Sequence, residues 1–548
     1  MDKLERAYDM KKSLKQINFV IVLISIMFNI SGCNKNIEDN EIKVKKNNTK
    51  ATVKLDWYIQ ASWYNKKWDP KITLFDKIVT EKTGVDLNII IPPVSGDEKL
   101  IAMASSGNLP DIITIDNWNS VKEQMIKSGY FLPLNDLAQK YSPELLNIIP
   151  DSMKKWYTQE DGNWYGIANQ FIAKEWLSEN SFIENPNGII ARKDIMDKLE
   201  IKPEDFNTQN GAIKALKKVK ESNIKFNGQK VLPFYFQWND WAISRMWGIP
   251  WETPDGNWID FRTHPKYLEI YKFLNKLWRE GLILEENFTN WAGGKIKQGI
   301  CFAYLGNFDD ISNVLYDSYK IDNKAVFVPV GPIHANDGSI PLYDQAGTGW
   351  TSTYITTKSK HPDKAIELLT FLSSDEGQML TWYGVEGKTF EIVDGKVKYT
   401  NEYLTMKKED TEMAKKVYGI NDFWPLKQQL FYEKTINTKY LPEEEKNYKN
   451  IVNYFSKYAI HTPETMGILP EEGSPEAGIL QKINDYWENQ SRKMILAKSE
   501  KDVENIYNES IKYINKIGYQ RVYDLSNAKF KAQKKKIGKE FSYPGNVK

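Results

Sequence analysis

The sequence predicts an α/β chain with at least two lobes, on three observations. About 500 residues follow position 50, too many for a single hydrophobic core. Strand-like apolar runs alternate with helix-like segments between residues 53 and 115, the order that builds a parallel sheet. Cys33 and Cys301 are the only cysteines in 548 residues, so no disulfide framework holds the fold.

Taken in chain order, the first element lies outside the fold. Lys11, Lys12 and Lys15 precede an apolar run from Phe19 to Ile30, and Ser31, Gly32 and Cys33 follow it. A basic stretch, a short apolar run and small residues at a processing site make a secretory signal. The run is shorter than the roughly 20 apolar residues a membrane span needs. A cysteine directly after the small pair resembles a bacterial lipobox. That implies removal of residues 1–32 as a signal peptide and acylation of Cys33, whose acyl chains hold the protein on a membrane. The stretch "NKNIEDNEIKVKKNNTK" (34–50) is charged and amide-rich, so residues 33–50 read as a flexible tether.

The α/β signal starts at "VKLDWYI" (53–59), a strand, followed by a helix over 70–83. A second strand, "VDLNIII" (85–91), ends at Pro92-Pro93; helical spacing over 97–107 stops at Gly107; "DIITI" (111–115) is a third strand. In parallel sheets ligands bind beyond the carboxyl ends of the strands, which makes Trp118 and Asn119, just past "DIITI", candidates for a site. Further helices are expected at about 193–199, 211–221, 265–280, 362–372 and 375–383, and strands at 299–305 and 324–330. From about residue 400 the chain reads as helical and charged.

Composition narrows the function. The full chain carries a formal charge of +2; without residues 1–32 it keeps 69 basic and 69 acidic residues. A nucleic-acid binder shows a basic surplus, and this chain does not. Aromatic residues make up 13% of the sequence and gather in polar surroundings: "DWYIQASWYNKKW" (56–68), "DNWNS" (116–120) and "WNDWAISRMWGIPW" (238–251). Many such rings are core residues in any protein. As clusters beside Asn, Asp and Gln they suit stacking on sugar C–H faces while amides bond hydroxyls.

The segment "TGVDLNIIIPPVSGDEKLIAMASSGNLPDIITI" (83–115) resembles extracellular solute-binding proteins of family 1, the receptors of ABC sugar importers. "DGNWYGIANQ" (161–170), "GIIARKDIMDKLEIKPEDF" (188–206) and "HPDKAIELLTFLSSDEGQMLTWYGVEGKTFEI" (361–392) resemble later family motifs in the expected order. The likeness is to the large oligosaccharide-binding branch, including proteins that bind alginate oligosaccharides. It implies a two-lobed periplasmic-binding-protein-like fold whose hinge closes on a glycan, with a helical C-terminal extension. The N-terminal lobe would comprise 51–168 plus 346–385, and the C-terminal lobe 171–345 plus 386–548. The resemblance also implies the partners: an oligosaccharide, the permease subunits of an ABC transporter, and the membrane through the lipid anchor at its extracytoplasmic face, with the chain a monomer.

By the same resemblance the cleft is lined by Trp63, Trp118, Asn169, Gln170 and Trp350 from the first lobe, and by Trp241, Arg245 and Asn307 from the second. Glu386, in "VEGKTF", matches a glutamate that faces the sugar in alginate binders. Arg245 sits among four tryptophans, and its fork could hold a uronate carboxylate or pair with Asp240 or Glu252. The expected ligand is a short uronate-containing fragment of alginate, pectin or glycosaminoglycan, with a neutral oligosaccharide as the alternative. Alginate-binding relatives carry a calcium loop where this chain has "KESNIKFNGQK" (220–230), which lacks the alternating carboxylates calcium requires; no metal or cofactor is expected.

The rival class is a surface-anchored glycoside hydrolase, for which two facing carboxylates would suffice. The sequence shows no H-E-x-x-H, C-x-x-C, Walker or G-x-S-x-G pattern. Its four histidines (His264, His334, His361, His461) are far apart, and His264 and His361 each precede a proline. The reading is therefore a binding protein and not an enzyme.

Overall fold

The computed structural model describes residues 52–118, 121–176, 184–236, 240–288, 292–321 and 324–539. Cys33, the signal, the tether, Asn119 and the side chain of Trp241 lie outside the described residues. In chain order the strands are β1 (Val53–Ile59), β2 (Val85–Ile90), β3 (Ile112–Asp116), β4 (Ile167–Ala168), β5 (Asn187–Arg192), β6 (Lys225–Phe226), β7 (Gln229–Lys230), β8 (Leu232–Phe236), β9 (Cys301–Asn307), β10 (Phe327–Val330), β11 (Tyr343–Gln345), β12 (Thr351–Ile355), β13 (Phe390–Val393), β14 (Lys396–Tyr399) and β15 (Ala459–His461).

Two sheets organise two lobes. The first has the order β2-β1-β3-β12-β4, with β1 parallel to β2 and β3 and β12 antiparallel to β3 and β4. Helices at Leu74–Thr83 and Pro362–Ser373 contribute Phe75, Val79, Ile366 and Leu369 to its core. Strands covered on both faces read as continuous apolar runs, and every residue of β12 is buried. The polar row inside the sheet is satisfied internally: Trp57 Nε1 donates to Thr114 Oγ1 (2.8 Å), which also pairs with Thr353 Oγ1 (2.9 Å). The second sheet has the order β10-β5-β9-β8 and packs with helices Gln209–Ser222 and Pro265–Arg279.

The expected elements match to within a few residues, except that the first helix starts at Leu74 rather than at 70, after a turn from Asp69. The expected division of the chain needs one correction. Residues 386–548 do not all belong to the second lobe. Phe423, Trp424 and Leu426 are core residues of the first sheet. Phe390, Val397, Tyr418 and Leu441 form a cluster with Trp382 and Tyr383 at its side. Only from about Ile451 does the chain return to the second core. The apolar spacing of this stretch marks helices but does not say which sheet they cover.

Among the described residues the chain passes from one core to the other between Ala173 and Ile189, again at 346–350 and again at 442–450. β11 and β15 pair in parallel beside two of these crossings. The middle crossing is tightly packed. Gly349 has φ +84°, and a Cβ there would sit 2.4 Å from the Asn169 carbonyl oxygen, so only glycine fits both the conformation and the space. The final helix, Tyr519–Ile537, ties the lobes together near its end: Lys536 Nζ donates to the Trp156 and Thr158 carbonyls (2.6 and 3.0 Å) in the first lobe, while Lys534 pairs with buried Glu252 (2.7 Å) in the second.

Candidate functional site: an aromatic cleft between the lobes

A cleft of about 2640 Å³ opens between the lobes. Its first-lobe wall is built where the sheet ends. Trp63 follows β1, Trp118 follows β3, and Trp350 leads into β12. Trp118 is held by a local turn in which its N–H donates to Asp116 Oδ1 (2.8 Å). Trp424 arrives from the C-terminal stretch and completes a wall of three indoles. Trp350 and Trp424 stack at 4.4 Å and 29°, Trp63 and Trp424 at 5.6 Å and 26°, and Trp63 and Trp350 at 6.2 Å and 27°. Trp424 is rooted in the core at 7% exposure, whereas Trp63 (66%) and Trp118 (60%) present their rings to the opening. Large exposed indoles are costly in water unless something covers them.

The remaining walls mix further rings, such as Trp258, Tyr316, Trp382 and Tyr432, with polar groups, and their charged residues are mainly acidic. Among the described lining residues, Asp and Glu outnumber Lys and Arg two to one. Most of the cations already have carboxylate partners: Arg245 Nε lies 2.8 Å from Asp344 Oδ1, Lys407 lies 2.7 Å from Glu445, and Lys449 pairs with Glu433 and lies 3.8 Å from Glu184. Burial, with the neighbouring Glu433 carboxylate, pushes the Glu184 carboxyl up to about 8. Lys427 differs. Its ammonium sits 4.1 Å over the Trp382 ring and donates to the neutral Asn421 Oδ1 (2.6 Å), and burial pushes it down to about 8. On the second lobe, Asn307 closes β9 and accepts the Asp309 N–H (2.8 Å), and Tyr448 donates to Asp309.

Of the residues expected from sequence, the cleft brings together Trp63, Trp118, Gln170, Arg245, Asn307 and Trp350. Gln170 takes φ +45°, with its N–H bonded to the Lys427 carbonyl (2.8 Å). Arg245 reaches the cleft, but its partner is Asp344 rather than Asp240 or Glu252, and its Nη1 donates to the Ile249 carbonyl (3.1 Å). Two expectations fall away. Asn169 is fully buried beneath the wall, where its Oδ1 accepts the Thr351 N–H (3.0 Å) and locks the crossing to β12. Glu386 is exposed on a turn before β13 and does not line the cleft, because the segment that follows it folds back as a hairpin at the side of the first lobe. Trp241 is the second residue of the helix Asp240–Met246, and its side chain is outside the described residues.

Sequence reasoning missed Trp424, Trp382, Lys427 and Glu433. The signal was present: "NDFWPLK" (421–427) is an aromatic among polar residues like the three clusters singled out.

Residues 220–230 carry one carboxylate, Glu221, and no alternating set. β6 and β7 form a tight hairpin turned by Asn227 (φ +48°) and Gly228 (φ +79°). Among the described residues no group of three or more His, Cys, Asp or Glu could hold a metal ion. The residues present do not fit calcium.

The model of the bacterial extracellular solute-binding protein family matches residues 61–379. The chain belongs to that family. Two curated relatives are from Bacillus subtilis strain 168. One is the polygalacturonan/rhamnogalacturonan-binding protein YtcQ, 24% identical over 409 residues, covering 70% of this chain and 77% of the relative. The other is the lipoprotein LipO, 22% identical over 417 residues, covering 71% and 76%. Among solved structures, the alginate-binding protein AlgQ2 without calcium ion superposes with a TM-score of 0.66 at 19% identity, covering 88% of this chain and 99% of that one. The superposition establishes the two-lobed solute-binding fold.

Proposed function

We propose that this protein captures an oligosaccharide in the interlobe cleft, leaves it chemically unchanged, and passes it to the permease of an ABC importer while acyl groups on Cys33 hold it at the extracytoplasmic face of the membrane. The observation that carries the reading is the wall of Trp63, Trp350 and Trp424, in the same cleft as exposed Trp118. Stacked indoles flanked by amides and carboxylates suit sugar rings, whose C–H faces are apolar and whose rims bear hydroxyls. The family supports a transport receptor, and the likeness to the lipoprotein LipO supports a lipid anchor.

The lining favours an uncharged glycan. Arg245, the residue that suggested a uronate, is already paired with Asp344. The surplus of carboxylates would repel a polyanion while accepting hydrogen bonds from hydroxyls. A second reading, a uronate fragment, is favoured by the names of YtcQ and AlgQ2 and by Lys427, whose partner in the cleft is a neutral amide.

Calorimetry separates the two. Uncharged and uronate oligosaccharides of equal length are titrated at low and high salt. The first reading expects the uncharged sugar to bind with Kd on the order of micromolar, near −8 kcal/mol, with little salt dependence, and the uronate to bind more weakly at low salt. Tighter uronate binding that weakens with salt supports the second. Peptide binding with no glycan binding refutes both.

A further inference from the structure

The cleft presents indoles from separate chain segments, and one buried side chain joins two of those segments. Asn117 lies between β3 and Trp118 and is only 3% exposed. Its Nδ2 donates to the Gly349 carbonyl (2.9 Å) and to Tyr157 Oη (2.8 Å); its Oδ1 accepts from Ser352 Oγ (2.7 Å) and Lys122 Nζ (3.3 Å). Its backbone N–H donates to the Trp350 carbonyl (2.9 Å), and its own carbonyl accepts from Lys122 Nζ (2.6 Å). Tyr157 Oη passes its proton on to the Thr348 carbonyl (2.7 Å). Every polar atom of Asn117 is therefore used, and its partners Thr348, Gly349, Trp350 and Ser352 span the end of the middle crossing between the lobes.

We infer that Asn117 is a positioning residue: it fixes the 348–352 segment, which carries Trp350, against the segment that carries Trp118, so that the sugar platforms keep their spacing and turn with the hinge as one unit. The amide is required because the site needs donors on one side and an acceptor on the other. An aspartate offers no donor to Gly349 or Tyr157, and alanine removes both of those bonds together with the acceptor of Ser352 Oγ, while Lys122 keeps the backbone carbonyl of residue 117. The inference rests on the oligosaccharide reading for its function, while its geometry can be tested without ligand.

The test uses the full folded chain with Asn117→Asp, Asn117→Ala and the milder Tyr157→Phe. The stacked Trp350–Trp424 pair should give an exciton couplet in the far-ultraviolet circular dichroism, identified by its loss in Trp350→Phe. The expected result is loss of most of that signal and at least a tenfold fall in glycan affinity for the Asn117 variants, and about a threefold fall in affinity for Tyr157→Phe, which removes the hydroxyl's two bonds and leaves the rest of the network in place. A purely structural role would lower the melting temperature without altering the signal or the affinity of folded protein, and that result overturns the inference. Should the Asn117 variants fail to fold, unchanged signal and affinity in Tyr157→Phe overturn it equally. A wild-type protein that binds no glycan would sink the proposed function, and the ligand-free signal would still decide this inference.

Discussion

Replacing Trp63 with alanine removes the outermost indole of the wall, and the structure sets the size of the effect. A buried tryptophan covers up to about 250 Å²; at 66% exposure Trp63 keeps roughly 165 Å² open to water. A sugar ring stacked on one face covers about half of that, near 80 Å². At about 25 cal/mol per Å² the contact contributes about 2 kcal/mol, so Trp63→Ala should weaken glycan binding about thirtyfold. Folding should suffer much less. The variant loses the stacked contacts with Trp350 and Trp424, worth about 1 kcal/mol in aromatic pairing. Titration calorimetry gives the affinity and urea denaturation gives the stability. Unchanged affinity in the folded variant would refute the assignment of Trp63 as a platform, and a large stability loss with normal affinity would show it to be a packing residue.

Trp424→Ala should cost both quantities, with about 3–5 kcal/mol of stability lost because the ring is rooted in the first-lobe core; denaturation with stability unchanged would contradict this. Burial, helped by the Lys539 ammonium, holds His461 down to about 4 from its ordinary 6.5. The unfolded chain therefore binds the proton first, and stability present above pH 6.5 should be lost as pH falls toward 4; His461→Gln should flatten that slope in acid melts. Chelator should change neither melting temperature nor glycan affinity, since residues 225–230 form a hairpin without carboxylates; a calcium-dependent shift would contradict it. Cys33→Ala should release the protein from membranes in fractionation, and membrane-bound variant protein would remove the anchor.

The fold was legible because its strands advertise themselves. β3 is buried on both faces and reads as a short apolar run between turn signals, and β1 is fully buried where its sequence turns apolar, from Trp57 to Ile59. The site was partly legible for a related reason: Trp118 stands just past a strand end, where a parallel sheet leaves its crevice, and the family resemblance pointed to Trp63. Asn169 misled because an amide in a family-like motif serves equally well as a buried lock on the backbone, and sequence does not reveal which way it points. Glu386 misled because a motif fixes a turn without fixing the surface that the turn faces. Trp424 and the carboxylate surplus stayed hidden because the cleft draws residues from over 350 positions of sequence, and no local pattern says that residues 390–441 return to the first lobe.

Native mass spectrometry of the intact protein with a mixture of neutral and acidic oligosaccharides, followed over hours, tests the central claim most directly. The account predicts one oligosaccharide per chain, of unchanged mass, drawn from the uncharged members and lost when Trp63 and Trp350 are both replaced by alanine. Shortened glycans accumulating with time would make the protein a hydrolase, and an unliganded chain across the whole mixture would contradict the account.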